Sequence, residues 1–171
     1  MSGDVLLVVA CAAAKRQHPA PAAKLYCSNN FAFMLSAARC EAAETTRICG
    51  QPAGVAILSA LHGLVDLDTV IAPYDLKMGQ PGSCNPERVA AQLSARRPDQ
   101  IIALLPAAYL RVLAAGIHVV NEAGTADIEL MDAFEAAPGI GYQRGVAASL
   151  LRRAGSIGRQ PQHARLASRH P

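Results

Sequence analysis

The side chains best able to do chemistry in this sequence gather in two short stretches. The first runs from Cys11 through Lys15 to Leu25-Tyr26-Cys27-Ser28. It offers a thiol, a point charge for a phosphate or carboxylate, a phenol, and a hydroxyl just ahead of a helix start. A helix N-terminus there adds backbone donors for an anion. The second runs Leu58-Ser59-Ala60-Leu61-His62-Gly63-Leu64, followed by Pro73-Tyr74-Asp75. His62 can serve as acid, base or hydrogen-bond donor near neutrality. Asp75 can activate water or balance a developing cation, Tyr74 can stack on a ring, and Gly63 permits an unusual backbone path. Plainer readings stand beside these: Lys15 and Arg16 as solvated cations, Ser28 or Asn29 as a helix cap, Cys11 as a small core residue.

The elements that must position these residues follow from the hydrophobic pattern. Val5–Ala10 is a continuous apolar, β-branched run, the mark of a strand buried on both faces. Val55–Leu58, Gln100–Leu105 and Ile117–Val120 read as three further strands. Helices are predicted from Asn29 or Asn30 onward, from Asn85-Pro86-Glu87 to about Arg97, from Pro106 to Gly116, and from Gly141 to Arg153. Between Ser59 and Gly82 lies a long loop, and Pro19 and Pro21 make the segment after Cys11 irregular. Alternating strands and helices imply a three-layer α/β fold, with a mainly parallel sheet of about four strands and helices on both faces. In such sheets ligands sit beyond the carboxyl ends of the strands, where both reactive stretches begin.

Composition sets the frame. The chain has 171 residues, of which 51% are hydrophobic, 4% aromatic and 17% charged. That is enough for one buried core and too apolar for a disordered chain. Of 16 basic residues, five fall from Arg152 onward, where there is no acid, so the preceding chain is mildly acidic. The expected organisation is a single domain over residues 1–154 with a basic, flexible tail over 155–171. Such a tail can touch nucleic acid, or it can simply be solvated. Five cysteines without regular spacing fit reduced thiols and a cytoplasmic location, and no metal or cofactor is expected. The short apolar run before Cys11 lacks the basic flank of a signal segment, and no stretch is long enough for a membrane span.

In order along the chain, Cys11…Lys15, Lys24-Leu-Tyr26-x-Ser28-x-x-Phe31, Leu58-Ser-Ala-x-His-Gly-Leu64 and Pro73-Tyr-Asp75 resemble a small bacterial and phage domain family of unknown function. The family pattern has Ser after the first Cys, where this chain has Ala12. More distantly, the arrangement is similar to the uracil-DNA-glycosylase-like domain of archaeosine synthase. That resemblance implies an enzyme on a nucleotide, nucleoside or base, hydrolysing or exchanging at an N-glycosidic bond. His62 and Asp75 would then be catalytic, and Cys11, Lys15, Tyr26, Ser28, Ser59, Gly63 and Tyr74 would bind substrate. Two other functions fit the same residues: a non-catalytic nucleotide or nucleic-acid-binding module using the basic tail, and a transferase forming an adduct on Cys11 or Lys15.

Overall fold

A computed structural model describes residues 4–136 and 140–157. Its centre is β1 (Val5–Ala10), where Leu7, Val8 and Val9 are fully buried. Alternate residues of a strand face opposite sides of the sheet. Leu7 and Val9 join a core built on α2 (Asn29–Cys49) and α5 (Ile140–Ile157), whereas Val8 joins one built on α3 (Pro86–Arg96) and α4 (Ala107–Glu122). This gives the three layers expected from the sequence.

The sheet has five strands in the order β4-β3-β1-β6-β7. β3 (Ala53–Ser59) and β6 (Gln100–Leu104) flank β1 in parallel, with Val9 opposite both Ile57 and Leu104. β7 (Glu129–Asp132) extends the parallel set on one side. β4 (Gly63–Asp66) returns antiparallel on the other, closing a hairpin in which Ser59 faces Gly63. A second, two-stranded ribbon pairs β2 (Ala20–Pro21) with β5 (Val70–Ile71). Between β2 and α2 lies the short helix α1 (Ala22–Leu25).

Helix α2 starts where Ser28 accepts the Phe31 N–H at 3.1 Å. It ends at Gly50, whose φ of 67° lets its N–H reach Thr46 O. Phe31, Met34, Leu35, Ala38 and Ala42 form its buried stripe at helical spacing. Helix α3 begins at Asn85, whose side chain takes the Arg88 N–H at 3.0 Å, and Pro86 stands in its first turn.

The structure corrects several expectations. Ile117–Val120 is not a strand: α4 runs through Gly116 to Glu122, because Leu113, Gly116, Ile117 and Val120 share one buried helical face. Gly116 is there for packing. A Cβ at that position would stand 2.8 Å from Val89 Cγ1 and 3.1 Å from Pro86 O, so the bare backbone lets α3 and α4 touch. The remaining parallel strand is β7 instead. The supposed loop from Ser59 to Gly82 contains β4 and β5. Of the candidate caps Ser28, Asn29 and Asn30, Ser28 is the one α2 uses. The last helix continues past Arg153 to Ile157, while Pro138, Gly139 and the tail from Gly158 onward lie outside the described residues. Among the described residues, no helix is long and apolar enough to cross a membrane.

Candidate functional site

Because β1, β3 and β6 run parallel in near register, Cys11, Ser59 and Leu105 leave the sheet at the same end. Ser59 is fully buried at the hairpin between β3 and β4. Its Oγ accepts the N–H groups of Leu61 at 3.2 Å and His62 at 3.0 Å. With both lone pairs used, its own proton goes to Tyr74 Oη at 2.8 Å. The Tyr74 proton then goes on to Tyr26 Oη at 2.9 Å. A buried serine thus sets the direction of a chain of hydroxyls. Burial raises the pKa of Tyr26 and Tyr74 above the usual phenol value, so both remain protonated donors at physiological pH.

Lys15 reaches this cluster through an isolated bridge pairing it with Tyr26. Its Nζ lies 4.2 Å from the Tyr74 ring centroid and 5.7 Å from that of Tyr26, and donates to Ala13 O at 3.3 Å. The ammonium is therefore held over aromatic faces rather than by a carboxylate. His62 meets the Tyr74 ring edge-on at 5.5 Å. Its pKa is lowered, first by burial and second by the Arg88 charge, leaving it neutral at pH 7. Gly63 holds the hairpin: its φ is 73°, and a Cβ there would press into the Gln92 side chain and stand 3.1 Å from Cys84 Sγ. Gln92, from α3, accepts the Leu64 N–H at 2.8 Å and donates to the carbonyls of His62 and Leu64 at 3.0 and 3.2 Å.

Beside the cluster lies an open cleft of about 90 Å³, between the carboxyl ends of β1 and β6 and the first turn of α2. It is lined by small residues (Ala10, Ala12), apolar ones (Phe31, Met34, Phe134) and the amides of Asn30 and Gln143, with Cys11 and Ser28 at its wall. Among the described residues, none of formal charge lines it. Cys11 Sγ is 3.2 Å from Tyr109 Oη, whose pKa is raised by burial first and the Cys11 contact second. Asn30 Oδ1 is buried with no hydrogen-bond partner. Leaving such an acceptor unpaired costs about 1–3 kcal/mol, which a ligand N–H can recover.

The site residues expected from sequence therefore fall into two groups. Cys11 and Ser28 line the cleft. Lys15, Tyr26, Ser59, His62 and Tyr74 form the hydroxyl and aromatic cluster, joined to the cleft where the Tyr26 and Phe31 rings meet at 5.2 Å. Gly63 is buried beneath Gln92 and does not line the cleft, and Asp75 is exposed beside Tyr74. Ser28 Oγ accepts the Phe31 N–H as the cap of α2, which leaves its own proton to donate. Sequence reasoning missed Asn30, Tyr109, Phe134 and Gln143 as parts of the site. One signal for Asn30 was present: Ser28, Asn29 and Asn30 are three capping types in a row, and a helix uses one. Among the described residues, no group of three or more His, Cys, Asp or Glu is placed to hold a metal ion.

Fold and site together define a three-layer α/β domain with an open cleft at the carboxyl ends of its central strands. The model of a family of unknown function (DUF6884) matches residues 6–131, and the chain belongs to that family. The match spans β1 into β7 and takes in the whole hydroxyl cluster, as the order of the motifs implies. No curated protein and no solved structure matches the chain.

Proposed function

We propose that this domain binds a nucleotide or nucleoside with its base in the cleft and acts at the N-glycosidic bond, by hydrolysis or exchange. The observation that carries the reading is the cleft lining: two phenyl rings, two primary amides and, among the described residues, no formal charge, with a buried acceptor on Asn30 left unpaired. Such a slot suits a neutral planar ring bearing an N–H. The motif likeness to a glycosylase-like domain supports the choice of bond. Cleaving that bond builds positive charge on the sugar and negative charge on the departing base. Neutral His62 and the protonated phenols are donors suited to the base, while the exposed Asp75 carboxylate suits the cation or a water. Five free cysteines fit a reducing, cytoplasmic setting.

The test is chromatography with mass detection of free base released from nucleosides, nucleotides and short single strands. Asp75→Asn and His62→Ala proteins of unchanged melting temperature run beside the parent. Release that both variants lose supports the enzyme. A second reading, a non-catalytic binding module, is favoured by one observation: the Ser59 and Tyr74 protons are spent inside the cluster, and among the described contacts Asp75 engages none of its hydroxyls. Melting-temperature gains without base release would select it.

A further inference from the structure

The connection from β1 to α2 begins and ends on the cleft, since Ala12 and Ser28 both line it. Between them the backbone is pinned. Lys15 bridges Tyr26, Arg16 N–H donates to Leu25 O at 2.8 Å, and Cys27 N–H donates to Ala14 O at 3.0 Å. The β2–β5 ribbon ties Ala20 and Pro21 to Ile71 and Val70. On this fixed loop Arg16, His18 and Lys24 are exposed, and Arg16 Nε donates to the Lys24 carbonyl at 2.7 Å, holding the two cationic residues together. No Asp or Glu occurs anywhere from Val5 to Cys40. Among the described residues the ion pairs are made by Arg47, Arg96 and Arg153, and none by Arg16 or Lys24.

A slot with no formally charged lining among the described residues thus opens at the foot of a pinned loop that itself carries no acid and presents exposed Arg16 and Lys24. The geometry points to a single-stranded polynucleotide as the partner, with phosphates along Arg16, His18 and Lys24 and one base seated in the cleft. This rests on the reading above that the cleft takes a base. Arg16 and Lys24 lie on the loop and not in the cleft lining, so a phosphate they hold can belong to a nucleotide flanking the seated base. A duplex keeps its bases stacked out of reach, and the mildly acidic remainder of the domain offers no broad track for one.

Fluorescence anisotropy of the full chain with a labelled mixed-sequence single strand of about twelve nucleotides tests this, beside a base-free strand of equal length. The variants are R16E/K24E and the gentler R16Q/K24Q, both surface changes whose folding is checked by melting temperature. Expected are affinity that falls with salt, a loss of about tenfold or more in R16E/K24E, and a salt slope shallower by about 0.7 per lost contact. The base-free strand binds more weakly. Unchanged affinity in both charge variants overturns the proposal, as does equal binding of the base-free strand. Free nucleosides that raise the melting temperature while strands fail to bind overturn it too, yet leave the base-in-cleft reading intact. Silence towards both removes the two together.

Discussion

The hydroxyl cluster and the cleft lie side by side and are built on opposite terms. In the cluster every proton of Ser59 and Tyr74 has a destination within the protein, and Lys15 is occupied by two aromatic rings. In the cleft, Asn30 Oδ1 is buried with nothing to receive and the walls enclose open space. One region is satisfied and serves to hold the loops in place. The other carries a cost that a guest N–H can relieve. Residue types alone do not separate the two, since the cluster holds the more reactive side chains and the cleft the quieter ones.

The largest expected effect lies at Ser59. Ser59→Ala strands two backbone N–H groups and removes the partner of Tyr74, so urea unfolding should show a loss of about 3 kcal/mol. A loss under about 1 kcal/mol would mean the cluster is not the framework described. Next comes Gly63→Ala, which forces a side chain into the left-handed region and against Gln92. It should cost about 1–3 kcal/mol, with coupling to Gln92→Ala in a double-mutant cycle if the clash matters as much as the backbone.

The pH response should sort the same way. Burial raises the Tyr26, Tyr74 and Tyr109 phenols in the folded state, so above pH 10 the unfolded chain sheds protons that the folded chain keeps. Their contribution is intact below pH 10 and drains away as pH rises beyond it. Ultraviolet phenol titration should therefore show these groups ionising together with alkaline unfolding, and early, reversible ionisation of all tyrosines would contradict the cluster's burial. The smallest effect on stability belongs to the cleft. Asn30→Ala removes an unpaired acceptor and should shift stability by no more than about 1 kcal/mol, in the favourable direction if at all. It should nevertheless abolish the melting-temperature gain from any ligand that binds the parent there.

Much of the architecture was legible because buried strands and capped helices announce themselves locally. Val5–Ala10 is continuous and apolar, and Asn85-Pro86-Glu87 is a helix start in any context. Ile117–Val120 misled because a β-branched run after a glycine is locally strand-like. Only the tertiary fit of Gly116 against Val89 shows why the helix passes through it. β7 hid for the opposite reason: Glu-Leu-Met-Asp at a sheet edge has little burial to pattern it. Within the site, the motif residues were visible by type, but their division into cluster and cleft depends on contacts between Tyr26, Ser59 and Tyr74 that lie far apart in sequence. Asn30 looked like a cap because its neighbours do, and although Ser28 was also a candidate, the sequence alone does not choose among the three.

Gln92 has a consequence of a different kind. Its amide meets the outer edge of β4 as a neighbouring peptide group would, taking the Leu64 N–H and serving the carbonyls of His62 and Leu64. Farther along the same strand, Asp66 O is taken by Thr69 N–H. A helix side chain here impersonates a sixth strand, and that border of the sheet is sealed against recruitment. The fold thereby carries its own stop against strand addition along β4.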